Sequence, residues 1–200
     1  DILSAAGMDR LVTIDLHAGQ IQGYFDCPVD NLFAVPVMLE SLRRLHDDNI
    51  VIVSPDAGGV ERARAYAKRL NAPLAIVDKR RDKPNQAQAM HVIGDVKGRL
   101  AIVVDDMIDT AGTLCAGAEV LLKNGASKIV ACATHGVLSG PAIDRINSTE
   151  ALSQVFVTDT IPLGDKLERC SKLEVVSVAA LLGKTIHNIH TGSSVSVLFV

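Results

Sequence analysis

A run of five apolar residues, 100–104, leads directly into a short acidic segment and then into a second apolar stretch, 114–123. An uninterrupted apolar run of this length predicts a strand buried on both faces, which is typical of a parallel sheet covered by helices. The second stretch has the length of a helix, and Asn124-Gly125 would end it. The sequence therefore predicts a strand–loop–helix unit whose loop lies at the carboxyl end of a central strand, where open α/β sheets bind ligands.

Strand and helix patterns alternate along most of the chain, which predicts an α/β fold with a parallel, doubly wound sheet. Residues 1–8 resemble the end of a helix with Gly7 as its stop, and the polar segment 78–88 predicts a mobile loop. The predicted strands are 11–16, 50–53, 74–77, 100–104, 128–133, 154–157 and the terminal run 195–200, and the predicted helices are 36–46, 60–70, 114–123 and one that begins at the cap Ser177.

The composition limits the possible partners. Hydrophobic residues make up 48% of the chain and charged residues 22%, which is enough for a core and a solvated surface. A net charge of −3 offers no basic surface to nucleic acid or membrane lipid, and the absence of Trp argues against base stacking. The four cysteines lie far apart in the sequence, which indicates reduced thiols rather than disulfides or a zinc site. We therefore expect a cytoplasmic protein with no nucleic-acid or membrane partner.

The acidic segment 105–113 combines three carboxylates with the sequence Thr-Ala-Gly-Thr. Backbone N–H groups at a helix N-terminus favour a phosphate, whereas carboxylates repel one. The acids are therefore expected to bind sugar hydroxyls or Mg²⁺, and the two halves together suggest a ribose 5-phosphate site. The alternative is that these acids and threonines serve only as loop residues and helix caps.

Three further segments could carry chemistry. Ser54-Pro-Asp-Ala-Gly-Gly59 follows a predicted strand, and its two glycines would let the backbone close on a phosphate, although an ordinary strand-to-helix turn explains them as well. His17 ends another predicted strand, where a lone histidine is more often structural. The cluster Lys79-Arg80-Arg81 could be a solvated charge run, or it could offset charge on a transferring phosphoryl group.

These four segments, in this order, resemble the ribose-phosphate pyrophosphokinases, or PRPP synthetases, of the type I phosphoribosyltransferase fold. The resemblance runs from about Leu11 to Phe199. It implies transfer of pyrophosphate from Mg-ATP to the 1-hydroxyl of ribose 5-phosphate, which gives phosphoribosyl pyrophosphate (PRPP) and AMP for nucleotide biosynthesis. The acidic segment alone would fit any phosphoribosyltransferase, but the four segments together narrow the resemblance to this family.

The resemblance implies a role for each segment. Asp105 and Asp106 would bind the ribose hydroxyls, and the 5-phosphate would be bound by Asp109, Thr110, Ala111, Gly112 and Thr113. The phosphates of ATP would contact Asp56, Ala57, Gly58 and Gly59, and Mg²⁺ would be bound by His17 and Asp56. Lys79 and Arg81 would be catalytic residues of a flexible loop. Gln22, Asp30 and Asn31 match family positions near a regulatory site, and Gly19 stands where some relatives have Ser.

The resemblance also implies a domain organisation. Residues 1–49 would form the end of a first phosphoribosyltransferase-like domain, residues 50–191 a second one, and residues 192–200 a terminal strand that returns to the first. Family members carry a preceding portion with most of the adenine-binding residues, so this chain resembles the C-terminal part of the enzyme and is expected to be inactive alone. Relatives of the common class form hexamers, which implies a homo-oligomer.

Two other functions remain open. A phosphoribosyltransferase that consumes PRPP would share the ribose-phosphate loop but would not require His17 or Lys79. A regulatory subunit without catalytic activity is the other alternative, although the intact Lys79, Arg81 and Thr-Ala-Gly-Thr segment argue against it.

Overall fold

The computed structural model of the chain describes residues 1–45, 47–80 and 89–199. A seven-stranded sheet dominates it. Its strands are β3 (Ile50–Ser54), β4 (Leu74–Arg80), β5 (Ala89–Ile93), β6 (Leu100–Ile108), β7 (Lys128–Gly136), β8 (Leu152–Thr158) and β9 (Leu173–Val176). Their order across the sheet is β5-β4-β3-β6-β7-β8-β9. Only the pair β4–β5 is antiparallel among the paired strands that the structure describes, so the predicted α/β fold with a mainly parallel sheet is confirmed.

Helices cover both faces of this sheet, as the doubly wound prediction requires. Alternate residues of β6 point to opposite faces: Val103 packs in one cluster with Leu114 and Leu121, whereas Ile102 packs in another with Met38 and Tyr66. The helices are α1 (Ile2–Ala5), α2 (Val35–Arg43), α3 (Val60–Leu70), α4 (Gly112–Lys123), α5 (Ala142–Ser148), α6 (Lys166–Arg169) and α7 (Ala179–His190). None of the helices in the described part of the chain is long and apolar enough to cross a bilayer.

One predicted boundary was wrong near the polar segment 78–88. Strand β4 continues through Arg80 and pairs with β5, so that Asp78 lies opposite His91 and Arg80 opposite Ala89. The remainder of the predicted loop, residues 81–88, lies outside the described residues. Strand β5 was not predicted; it lies at the edge of the sheet, where pairing with β4 forms it.

Strand β6 is also longer than the apolar run that predicted it. It continues from Val104 through Ile108, so Asp105 and Asp106 lie within the strand rather than in a loop after it. Their backbones pair with β7, where Asp105 lies opposite Ala133. Hydrogen bonds of the ladder, rather than side-chain polarity, decide where this strand ends.

The terminal run 195–200 was predicted as a strand, and this was wrong for the residues described. Ser196–Leu198 forms a 3-10 helix. Val195 is buried beside Leu32, and the ring of Phe199 packs edge to face on Phe33 with centroids 6.2 Å apart. In a strand these two residues would also share a face, but they would lie about 13 Å apart along it, whereas a 3-10 turn keeps residues four apart within about 8 Å of each other. The segment does return to the beginning of the chain, although the proposed domain boundaries remain predictions.

The N-terminal part of the chain forms a small parallel sheet of β1 (Leu11–Ile14) and β2 (Val29–Leu32). The buried carboxylate of Asp15 fastens it to the main sheet: Oδ2 accepts hydrogen bonds from Thr134 Oγ1 at 2.6 Å and from the Ala34 N–H at 2.9 Å. The Asp15 backbone is left-handed, with a φ of 44°. His135 Nε2 adds a hydrogen bond to the Ile14 carbonyl at 3.0 Å. These contacts fix the position of the residues that follow, including His17.

Thr134→Val should test this connection. The substitution keeps the shape of the side chain but removes a donor to a buried carboxylate, and we expect it to lower the free energy of unfolding by about 2 kcal/mol. Thr185→Val is a matched control, because Thr185 is fully buried and its hydroxyl donates to the Leu181 carbonyl of its own helix rather than to a carboxylate. Urea denaturation should show a clear loss for Thr134→Val and at most about 0.5 kcal/mol for the control. Equal losses would mean that the Asp15 contact adds nothing.

Candidate functional site

A cavity of about 210 Å³ opens at the carboxyl ends of β3 and β6. It lies where parallel strands diverge on either side of a crossover, the usual place for a ligand in an open α/β sheet. The structure thus brings together the acidic segment and the turn after β3, which lie about fifty residues apart in the sequence. The polar residues and glycine of its lining are Asp56, Asp105, Asp109, Thr110, Gly112 and Thr113.

The two adjacent acids of β6 line different surroundings, although both carboxylates lie within reach of Arg62 at the end of the sheet. Asp105 is half-buried and lines the cavity. Asp106 is buried, and its Oδ2 lies 2.5 Å from His17 Nδ1. Backbone N–H groups stabilise both carboxylates: Asp106 donates to Asp105 Oδ1 at 2.9 Å and Met107 donates to Asp106 Oδ1 at 3.0 Å.

Arg62 compensates the charge of both acids. Its Nη1 lies 3.7 Å from Asp105 Oδ1, and its Nη2 lies 3.7 Å from Asp106 Oδ2. The side chain is only 21% exposed, so this planar fork interacts with the acids in a partly dry environment. Sequence reasoning missed Arg62. The signal that could have found it was its place in the first turn of α3, directly after the glycines of the preceding turn.

The acids differ in their affinity for a proton. Burial raises the pKa of Asp105 to about 7, and its hydrogen bond with Asp106 acts in the same direction. Burial opposes ionisation of Asp106 as well, but the hydrogen bonds that connect it to Asp105 and His17, together with the charge of Arg62, lower its pKa overall. Below about pH 7 the pair therefore holds one proton, which resides mainly on Asp105.

The segment after β6 presents unpaired backbone N–H groups to the cavity. Ala111 is left-handed, with a φ of 58°, and α4 begins directly afterwards at Gly112. Among the described residues no side chain caps this helix, so the N–H groups of its first turn remain available to an anion. Asp109 is oriented by a hydrogen bond that its carboxylate accepts from Ser139 Oγ.

The turn after β3 closes tightly on itself. The Gly59 N–H donates to Asp56 Oδ1 at 3.0 Å, and Ser54 Oγ donates to the Asp56 carbonyl at 2.7 Å. A Cβ at Gly59 would lie 2.8 Å from Ser54 Oγ, so only glycine fits there. Asp56, Ala57 and Gly58 remain exposed, and Asp56 lines the cavity.

A second cavity, of about 460 Å³, lies on the other side of the Arg62–Asp106 contact. His17 and Arg62 line it, as do two of the three residues predicted to be regulatory, Gln22 and Asn31. The third, Asp30, instead pairs with Arg10, whose Nε lies 2.7 Å from Asp30 Oδ2.

The predicted metal ligands offer few donors. Within residues 1–45, 47–80 and 89–199 no group of three or more His, Cys, Asp or Glu side chains could bind a metal ion. His17 uses Nδ1 for Asp106, which leaves Nε2 for a ligand, and Asp56 uses one carboxylate oxygen for Gly59. Donors of this kind suit Mg²⁺, which is often bound by one or two protein groups beside water and substrate phosphates. Asp56 lines the first cavity, however, and His17 lines the second.

The structure describes only part of the predicted cationic segment. Lys79 lies in β4 with its backbone opposite Met90, and nothing further is described of its side chain. Arg81 lies outside the described residues. The catalytic role of both residues therefore remains a prediction.

Comparison with known families decides the family of the chain. The sequence model of the phosphoribosyl synthetase-associated domain matches residues 80–200, more than half of the chain. This chain belongs to that family. The matched part contains β6, the segment 105–113 and α5, so the family assignment includes most of the lining of the first cavity.

Similarity to known proteins also includes the N-terminal part of the chain, which the family model does not match. It is 56% identical over 201 residues to the ribose-phosphate pyrophosphokinase of Xylella fastidiosa, covering 100% of the chain and 62% of that protein. For the ribose-phosphate pyrophosphokinase of Neisseria meningitidis the identity is 52% over 199 residues, and the chain covers 61% of that protein. The chain thus spans about three fifths of the length of these curated relatives.

A solved structure supports the same fold. The phosphoribosylpyrophosphate synthetase of Mycobacterium smegmatis superposes with a TM-score of 0.88 at 41% sequence identity. The aligned region covers 96% of this phosphoribosyl synthetase-associated chain and 62% of that one.

The shared proton of the acid pair predicts a pH dependence of stability. Because the folded-state pKa of Asp105 is raised to about 7, its neutral form stabilises the fold at low pH, and this contribution is lost progressively as the pH rises from about 4, the ordinary pKa of an aspartate, through 7. Asp105→Asn should therefore flatten the decline of the unfolding free energy between about pH 4 and 7, measured by urea denaturation. Asp95→Asn, at an exposed acid, should leave the decline unchanged. An identical decline in Asp105→Asn and the unsubstituted protein would contradict the proton assignment.

Proposed function

We propose that this chain forms the ribose-phosphate-binding part of a ribose-phosphate pyrophosphokinase, which transfers pyrophosphate from Mg-ATP to the 1-hydroxyl of ribose 5-phosphate and releases PRPP and AMP. The observation that carries the proposal is the first cavity, where the acidic segment and the turn after β3 meet. One side of it offers carboxylates for hydroxyl groups, and the other offers backbone N–H groups for phosphates.

In this proposal the 5-phosphate binds at the beginning of α4. The open N–H groups of its first turn and the hydroxyls of Thr110 and Thr113 would donate to the phosphate oxygens, and the helix dipole favours the negative charge there. Ala111 and Gly112 supply backbone alone, and Asp109 is engaged with Ser139 at the edge of the site. The segment 109–113 thus acts chiefly through its main chain.

In this proposal the acids of β6 bind the sugar. Asp105 lines the cavity directly and would accept hydrogen bonds from ribose hydroxyls. Asp106 is occupied by His17 and Arg62, so it would reach a hydroxyl only by giving up one of these contacts. Its main contribution in this geometry is to orient His17.

The phosphates of ATP would lie at the turn after β3, against Asp56, Ala57, Gly58 and Gly59. Mg²⁺, bound by His17 and Asp56, would neutralise charge on the pyrophosphoryl group. Lys79 and Arg81 would offset charge on that group as the 1-hydroxyl attacks the β-phosphorus in line and AMP leaves. No side chain is assigned as a general base.

Two features favour this function over the alternatives. His17 contacts a sugar-binding acid, a link that a PRPP-consuming transferase does not require. A regulatory subunit would not need the intact phosphate and sugar groups that line the cavity. By resemblance to its relatives, the active protein would be a cytoplasmic homo-oligomer, a hexamer, with Gln22, Asp30 and Asn31 near a regulatory site.

Calorimetric titration with ribose 5-phosphate tests the proposal directly. The chain should bind the sugar phosphate, and Thr113→Val should weaken binding by about tenfold or more through loss of one charge-assisted hydrogen bond. Thr191→Val is the matched control, since Thr191 is an exposed threonine at the end of α7. Unchanged affinity in Thr113→Val would contradict the phosphate assignment.

A second assay separates the reaction types. Release of AMP from labelled ATP in the presence of ribose 5-phosphate should be measured for this chain beside the relative from Xylella fastidiosa. We expect this chain to bind ribose 5-phosphate but to release little AMP. In the family most adenine-binding residues lie in a preceding portion, so ATP would be bound here mainly through its phosphates. Its reacting phosphorus would then be misplaced, and misplacement by about 1 Å can cost about a hundredfold in rate. Turnover equal to that of the relative would show that the ATP site lies entirely within these residues.

A further inference from the structure

The guanidinium of Arg145 contacts the segment 109–113 on the side away from the first cavity, and the proposed reaction does not use it. Arg145 belongs to α5, and its Nη1 donates to the carbonyl of Thr110 at 2.9 Å. The same nitrogen lies only 3.3 Å from the point that a Cβ at Gly112 would occupy. The guanidinium therefore packs against the backbone at the point where α4 begins.

This contact fixes the orientation of one peptide group. In a trans peptide the carbonyl and the following N–H point in opposite directions. Because the Thr110 carbonyl points at Arg145, the N–H of Ala111 points away from it, and Ala111 lines the cavity. The left-handed backbone of Ala111, with a φ of 58°, is disfavoured for a residue with a Cβ, so contacts from outside the segment are needed to stabilise it.

The chain before α5 braces the same segment from its other end. Leu138 and Ser139 donate their backbone N–H groups to the carbonyls of Ile108 and Asp109 at 3.0 and 3.1 Å. Ser139 Oγ also donates to the Asp109 carboxylate. Together with Arg145, these contacts hold both ends of the segment from one connection between β7 and α5.

We propose that Arg145 is a positioning residue for sugar-phosphate binding: it orients the Thr110–Ala111 peptide so that its N–H faces the phosphate, and the absence of a side chain at Gly112 lets the guanidinium lie this close to the backbone. This inference rests on the proposed function, since it assigns the geometry of the same phosphate site. Arg145 itself acts through the backbone and does not touch the reacting atoms.

A double-mutant cycle tests the proposal. Arg145→Gln should raise the Kd for ribose 5-phosphate by about tenfold, the effect of one hydrogen bond to a charged group. Gly112→Ala should have a similar effect, because the new Cβ pushes the guanidinium away. In the double variant the two effects should not multiply, since Gly112→Ala then has no guanidinium to displace. Arg145→Lys, which keeps a cation and a donor, should recover part of the affinity.

The controls separate positioning from folding. Arg169→Gln changes another exposed arginine, on α6, and should leave the Kd unchanged. The melting temperature of Arg145→Gln should match that of the unsubstituted protein, since Arg145 is exposed. Wild-type affinity in Arg145→Gln, or independent effects of the two substitutions, would overturn the positioning role.

Inorganic phosphate distinguishes this proposal from the function on which it rests. If the chain binds inorganic phosphate but not ribose 5-phosphate, the proposed function fails, and the same cycle with inorganic phosphate still decides the role of Arg145. If the chain binds neither ligand, both proposals are overturned.

Discussion

The contact of Arg62 with the adjacent carboxylates of β6 is the interaction on which the site depends. Two acids side by side at the end of a buried strand repel each other and lose hydration, and a single guanidinium 3.7 Å from each offsets part of both costs. The offset is incomplete, which is why the pKa of Asp105 stays raised while that of Asp106 is lowered. Because Arg62 belongs to the helix that follows the turn at Asp56, this one contact also sets the position of that turn relative to β6.

The site separates groups that would otherwise interfere. Carboxylates occupy the last residues of β6, and the backbone N–H groups that suit an anion begin only after Ala111 turns the chain into α4. In the proposed function, a phosphate bound at the helix would lie beyond the acids, and the sugar attached to it would extend back toward Asp105. Placing both kinds of group within one short segment requires a left-handed backbone at this junction, which is conformationally unfavourable. Hydrogen bonds from the connection between β7 and α5, and from Arg145 of α5, stabilise this backbone.

Much of this arrangement could be predicted from the sequence because its signals are local. Apolar runs identified the central strands, and Asn71, left-handed with a φ of 50°, ended α3 where the sequence placed its stop. Arg145 was missed because it acts on residues far away in the chain and has no local mark that separates it from solvated neighbours. Arg62 also acts on distant residues, and its local signal is its place directly after the glycines of the turn. Strand β5 and the terminal 3-10 helix were missed for a related reason: the partner strand and the packing on Leu32 decide them, rather than their own residues.

The N-terminal part of the chain is coupled to the sugar-binding acids by charge as well as by packing. His17 follows Asp15 by two residues, and the buried Asp15 carboxylate accepts hydrogen bonds from Thr134 of β7 and from Ala34. These contacts place the imidazole against Asp106, and its hydrogen bond helps to lower the pKa of that acid. Without His17, Asp106 would lose a donor and hold its proton more tightly, and the proton shared with Asp105 would be redistributed. If the cavity binds a sugar as proposed, residues outside the main sheet would help to set its affinity for a hydroxyl group, since an ionised carboxylate can only accept a hydrogen bond whereas a protonated one can also donate.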